Sequence, residues 1–164
     1  MRILIWIFVM LLSVSLQSTV IPVLSFGAVR PDFVLVVVVL AALSGGRETG
    51  VLCGAVGGLL QDLLSVGPFG FNTLTKMLLG LLLGFYERKV NQGNLLLPMV
   101  AIVAGTVGAT VLSALFLLAY GLAGAIPAVF LQMIPTTAYH LLLAAPVHAA
   151  LLWLKRLQAS KLGG

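Results

Sequence analysis

The chain has 164 residues, of which 61% are hydrophobic and 8% are charged, and its formal net charge is +5 at pH 7. A soluble domain carries about 25% charged residues. This composition therefore excludes a soluble domain and indicates a single integral membrane domain over residues 1–164. The basic residues lie at the ends of apolar runs, which is typical of membrane orientation rather than of nucleic-acid binding.

Six apolar stretches predict an all-α protein with six transmembrane helices. The runs are continuous and lack the alternation of strands, which favours helices over a barrel. In chain order the predicted spans are Ile3–Leu24, Ala28–Leu43, Thr49–Leu64, Phe69–Tyr86, Leu95–Tyr120 and Ile126–Leu154. The alternative interpretation of the first stretch is a cleaved signal ending near Ser13-Val14-Ser15, which would leave five spans.

The lysines and arginines predict the orientation of these spans. With the N-terminus inside, the cytoplasmic loops and tails hold Arg2, Arg47, Arg88, Lys89, Lys155, Arg156 and Lys161. The outer loops then hold only Arg30. Basic residues concentrate on the cytoplasmic side of membrane proteins. We therefore expect both termini in the cytoplasm.

The third and fourth spans carry rows of small residues at every fourth position. The predicted helix-packing positions are Gly46, Gly50, Gly54, Gly58, Gly80 and Gly84. Glycines spaced in this way form a ridge on which two helix backbones approach closely. The turn that joins the two spans is predicted at Gly67, Pro68, Phe69 and Gly70.

Polar residues continue both rows towards this turn. Asp62 follows the glycines of the third span, and Asn72 and Lys76 begin the row of the fourth. An ionisable side chain inside a membrane costs about 2.5–3.5 kcal/mol, so such groups are usually buried and paired. Asp62 and Lys76 differ by about 4.5 Å in depth at 1.5 Å per residue. The sequence predicts that they form an intramembrane charge pair, with Gln61 and Asn72 completing a partner site.

Two other interpretations of these charges stay open. Lys76 would snorkel to the outer surface if it were unpaired. Asp62, together with Gln61, would cap the end of the third helix. Both interpretations give the residues a local structural role and no partner.

Further polar residues have structural interpretations. Arg30, Pro31 and Asp32 predict an interfacial charge pair and the outer start of the second span. For His140 and His148 on the sixth span, a hydrogen-bonded structural role is favoured over a proton relay.

Catalytic, metal and cofactor sites are not indicated. The chain has no Ser/His/Asp set in a plausible order, no phosphate-binding glycine loop and no metal-ligand spacing. Cys53 is the single cysteine, which excludes an internal disulfide. The pattern predicts a non-enzymatic protein without a cofactor.

An ordered series of motifs resembles the bacterial rod shape-determining protein MreD family. The series is Gln17-Ser18-Thr19, Arg30-Pro31-Asp32-Phe33, the glycines before Leu59-Leu60-Gln61-Asp62-Leu63-Leu64, Gly67-Pro68-Phe69-Gly70-Phe71-Asn72, and Lys76 with Gly80. It covers roughly half of the chain, and the remainder agrees in hydropathy.

The resemblance implies a non-enzymatic member of the cell-elongation machinery in the bacterial cytoplasmic membrane. The family works with the single-span protein MreC and with MreB filaments, among membrane lipids. It is linked to the RodA-type glycosyltransferase and its class B penicillin-binding transpeptidase, which build side-wall peptidoglycan. The family is also similar in fold to the substrate-binding subunits of energy-coupling-factor transporters.

That second similarity sets an alternative function. The chain would then be a vitamin-like solute-binding subunit, with Asp62, Asn72 and Lys76 lining a pocket. A solute-capturing subunit needs a lid or several aromatic and polar ligands near its outer face. The predicted outer loops are short and poor in such groups, which favours the scaffold.

Overall fold

The computed structural model describes residues 2–19, 31–65, 67–87 and 96–162, and every regular element within these ranges is helical. The helices are α1 (Arg2–Thr19), α2 (Phe33–Leu64), α3 (Phe71–Gly84), α4 (Leu96–Ala119) and α5 (Ile126–Leu162), with a short 3-10 helix, Ala123–Ala125, before α5. The predicted all-α class is confirmed.

Helix α2 is folded into a hairpin. Gly46 interrupts it with φ 78° and ψ −170°, a left-handed conformation that glycine adopts without a steric penalty. A methyl carbon added at Gly57 would lie 2.6 Å from Cγ1 of Val34. A straight helix would separate those two residues by about 34 Å. The arms 33–45 and 47–64 are therefore antiparallel, and the predicted break between the second and third spans is confirmed.

The first arm of α2 forms the centre of the bundle. Each of the ten residues 34–43 is at most 2% exposed. A helix that is apolar on every side is typical of a protein core or of a membrane span. Here α1, the second arm of α2, α4 and α5 enclose it.

Within the described residues, three stretches are long and apolar enough to cross a membrane by length and composition, namely Phe33–Leu64, Leu96–Ala119 and Ala123–Ala149. Shorter apolar helices cover Leu4–Thr19 and Phe71–Gly84. The hairpin divides the first of the long stretches into two antiparallel arms. The chain is a helical membrane protein, and the count of six crossings stays a prediction.

The remaining helices surround the hairpin unequally. Helix α3 packs along α2, α1 packs on α2, and α5 packs mainly on α4. Large apolar side chains face outward from the bundle, as on Phe8, Leu82, Val100, Leu131 and Leu142. This outer surface suits a hydrocarbon environment.

Candidate functional site: a buried polar network

The glycine rows bring the backbones of α2 and α3 into direct contact. Methyl groups added at Gly50 and Gly80 would each meet the backbone of the other residue. Contacts with backbone atoms recur at Gly54 against Lys76, at Gly58 against Thr73 and at Gly84 against Arg47. Since backbone atoms cannot swing aside, none of these positions has room for a side chain.

Gly46 was predicted as part of the packing row, and its main role is different. It forms the turn of the α2 hairpin through its positive φ. The carboxylate of Glu87 lies against it, and the Arg47 guanidinium stands 4.6 Å from the centroid of the Phe85 ring. A cation over an aromatic face is attracted to it, so charged and aromatic side chains cover this turn.

At the opposite end of the hairpin, Lys76 forms a buried ion pair with Asp32. The Lys76 Nζ lies 2.8 Å from Oδ2 of Asp32, and the lysine side chain is 3% exposed. The same ammonium donates to Oδ1 of Asn72 at 3.0 Å. The predicted pairing of Lys76 with Asp62 is therefore corrected, because the partner carboxylate comes from the start of α2. Snorkelling is excluded by the burial of Lys76.

Asp62 caps the helix that follows it. Helix α3 begins after Gly70, which has no side chain to cap the free N–H groups of the first turn. The Asp62 carboxylate accepts from the backbone N–H groups of Gly70, Asn72 and Thr73, and from the side chains of Asn72 and Thr73, at 2.6–3.1 Å. The positive end of the helix dipole favours an anion there. The negative charge of Asp62 is thus stabilised by hydrogen bonds without a cation. Asp62 caps the fourth predicted span rather than the third.

Asp32 starts α2 and ties its two arms together. Its Oδ1 accepts from the backbone N–H of Leu35 and from Nε2 of Gln61, each at 3.0 Å. The first bond is the N-cap contact that helix starts require. The predicted helix start at Pro31 and Asp32 is confirmed, whereas Arg30 lies outside the described residues.

His140 links α4 and α5 to the start of α2 at Asp32. Its Nε2 accepts from the backbone N–H of Asp32 at 2.8 Å. Its Nδ1 lies 2.8 Å from Oγ1 of Thr106, whose hydroxyl donates to the carbonyl of Ile102. Since Nε2 accepts, Nδ1 carries the proton and donates to Thr106. The neutral imidazole satisfies every bond in this chain, and the predicted hydrogen-bonded role of His140 is confirmed.

The network also reaches α1, and nearly all of its buried polar atoms are hydrogen-bonded. Oε1 of Gln17 accepts from the backbone N–H of Val34 at 3.0 Å. Among the described side chains, Oε1 of Gln61 is the one fully buried polar atom without a hydrogen bond. Buried polar groups are stable when they are paired. The network thus connects the five α-helices that the structure describes through internal partners.

Two members of the network, Thr73 and Thr106, were not predicted from the sequence. Thr73 stands next to Asn72 in the first turn of α3, and the need of that turn for acceptors was a usable signal. Thr106 lies within an apolar helix where threonine is common, and no neighbouring residue in the sequence indicated a contact with His140. Within the described ranges, no group of His, Cys, Asp and Glu side chains could hold a metal ion.

The chain was compared with known families, curated proteins and solved structures. The model of one family, described as rod shape-determining protein MreD, matches residues 1–157. No curated protein and no solved structure matches the chain.

Proposed function

Because the chain belongs to the MreD family of rod shape-determining proteins, we propose that it is a non-enzymatic scaffold of the cell-elongation machinery. It acts in the bacterial cytoplasmic membrane as a multi-pass protein. Its partners are MreC and the synthase formed by a RodA-type glycosyltransferase and a class B penicillin-binding transpeptidase, with MreB filaments on the cytoplasmic side. Association, and no bond-forming chemistry, is its contribution.

The observation that carries this proposal is the internal pairing of the buried polar groups. Lys76 is held by Asp32 and Asn72, and Asp62 is held by the first turn of α3. A catalytic or ligand-binding group needs a free face towards its substrate. These side chains instead direct their bonding atoms at one another, which supports a rigid framework for other membrane helices.

The same observation counts against the solute-binding alternative. That hypothesis needs Asp62, Asn72 and Lys76 to line a pocket. Asn72 donates to Asp62 and accepts from Lys76, so both ends of its amide are engaged. A solute would have to displace bonds that stabilise the fold.

Depletion in a rod-shaped host tests the function. We expect rounded cells on depletion, and recovery of MreC with the tagged protein after extraction in mild detergent. The matched control is an unrelated membrane protein of similar hydropathy carrying the same tag. Normal cell shape together with saturable binding of a vitamin-like solute would refute the scaffold and favour a transport subunit.

Reporter fusions test the orientation on which these partner assignments depend. Fusions at Gly164 and near Gly124 should report cytoplasm and periplasm, respectively, because basic residues concentrate on the cytoplasmic side. A periplasmic signal from the fusion at Gly164 would contradict the six-span topology.

A further inference from the structure

Helix α5 carries a polar stripe that the network does not use. Gln132, Thr136 and Tyr139 are spaced at i, i+4 and i+7, and so lie within about 60° of one another around the helix axis. All three are half-buried. Within the described part of the chain none of their side chains makes a hydrogen bond. The neighbouring Thr137 instead donates to the carbonyl of Met133 in its own helix.

The stripe lies in the outer half of an apolar span. The sixth predicted span, Ile126–Leu154, has His140 at its centre. Thr136 is four residues from that centre and Gln132 eight, which corresponds to about 6 Å and about 12 Å along the helix. The hydrocarbon layer extends about 15 Å to each side of its midplane. All three residues of the stripe therefore lie within the hydrocarbon layer, with Gln132 nearest to the lipid headgroups.

The stripe borders the exposed side of α5 at one edge. Helix α5 packs mainly on α4. Leu131 and Leu142 lie about 60–80° around the helix axis from Tyr139, and they are 80% and 72% exposed. Lipid chains offer no hydrogen-bonding groups, so polar side chains at this depth are satisfied by other protein helices.

We propose that this stripe docks one transmembrane helix of another protein, with Ser, Thr, Asn or Gln side chains facing Gln132, Thr136 and Tyr139. The stripe runs about 10 Å along the axis, or two helical turns, which matches side-by-side packing of two helices. The inference rests on the proposed scaffold function, to which it adds a contact surface.

A second copy of the chain fits this surface poorly. Two copies with the same membrane orientation meet around a two-fold axis, so each residue of the stripe would face its own equivalent. Two Tyr139 rings would then hold the backbones apart at the level where the Thr136 hydroxyls need to approach. A partner with a small residue opposite Tyr139 avoids this conflict.

Removal of the polar groups tests the stripe. The triple variant Gln132→Leu, Thr136→Val and Tyr139→Phe keeps the side-chain volumes and deletes the unpaired groups. Thr137→Val is the matched control, because its hydroxyl bonds within α5. We expect about tenfold lower recovery of MreC with the triple variant, with the control and the melting temperatures unchanged. Full recovery of MreC with the triple variant, and full restoration of rod shape, would overturn the proposal.

A photocrosslinking measurement is independent of the identity of the partner. A benzophenone side chain at position 136 is activated in native membranes, and the adducts are identified by mass spectrometry. We expect one transmembrane peptide of another protein, with a polar residue at the adduct site. Adducts to lipid alone, or to a second copy of the chain, would overturn the proposal. A peptide from outside the elongation machinery would support the docking surface and contradict the scaffold function.

Discussion

The contact between α2 and α3 and the polar stripe of α5 accommodate polar groups in an apolar layer in opposite ways. Along the first contact, glycines let backbones touch, and the charges at its end are bonded to one another. On α5, three polar side chains have no internal partner within the described residues and stand beside exposed leucines. The comparison separates a closed core from a surface that is complete only in an assembly.

The largest expected effect comes from Gly80→Leu, which places a side chain in the contact between α2 and α3. The new side chain would meet the backbone of Gly50, and overpacking against backbone costs about 3 kcal/mol or more. We expect loss of folded protein in detergent, measured by size-exclusion profile and thermal unfolding. Gly124→Leu is the matched control, because nothing lies within 4 Å of the added group. Wild-type behaviour of Gly80→Leu would show that α2 and α3 do not pack as described.

The next effect concerns the ion pair. Lys76→Met strands the Asp32 carboxylate in a buried site, which costs about 3–5 kcal/mol. We expect Lys76→Met and Asp32→Asn together to destabilise less than the sum of the two single changes.

A second double-mutant cycle, between Lys76→Met and Asp62→Asn, sharpens this result. Asp62 is held by the first turn of α3, although Asn72 links it to Lys76, so we expect a smaller coupling. A larger coupling with Asp62 than with Asp32 in thermal unfolding would restore the pairing that the sequence suggested.

A smaller effect is expected from Asp62→Ala, which removes the cap of α3. Loss of a helix cap costs about 0.5–2 kcal/mol. The backbone N–H groups of Gly70, Asn72 and Thr73 should then exchange with solvent deuterium faster than those in the middle of α3. Uniform exchange along α3, unchanged from the wild type, would contradict the capping role.

The smallest effect is expected from Thr106→Val. It removes the acceptor for the Nδ1 proton of His140 and keeps the volume of the side chain, at a cost of about 0.5–1.5 kcal/mol for the lost hydrogen bond. Thr110→Val is the control within α4, because the Thr110 hydroxyl bonds the Thr106 carbonyl of its own helix. Equal melting temperatures for the two variants would show that the bond to His140 contributes nothing.

The helices and their contacts were largely predictable from local patterns. The break between the second and third spans and the four-residue glycine spacing depend on neighbours in the chain, and both correspond to structural features. The partner of Lys76 was not predictable in this way. Counting residues from the turn makes Asp62 the carboxylate closest in depth to Lys76. The count contains no information about the direction in which a side chain leaves its helix. It also does not include the need of the first turn of α3 for an anion.

The contacts of His140 illustrate the same limit over a longer distance. His140 reaches the backbone of Asp32 across 108 residues of chain, and no local periodicity contains that information. The stripe on α5 is the converse case, since its i, i+4 and i+7 spacing is visible in the sequence. Its meaning required knowing which polar groups the fold had already satisfied.

The short first arm of α2 has a consequence for how the protein is made. Its 13 residues, 33–45, reach about 20 Å, against about 30 Å of hydrocarbon. The side chains that secure its start, Gln61, Lys76 and His140, are all translated after it. We therefore expect this segment to enter the bilayer together with the second arm as a hairpin, and its polar end to gain all of its partners only after α5 has been inserted.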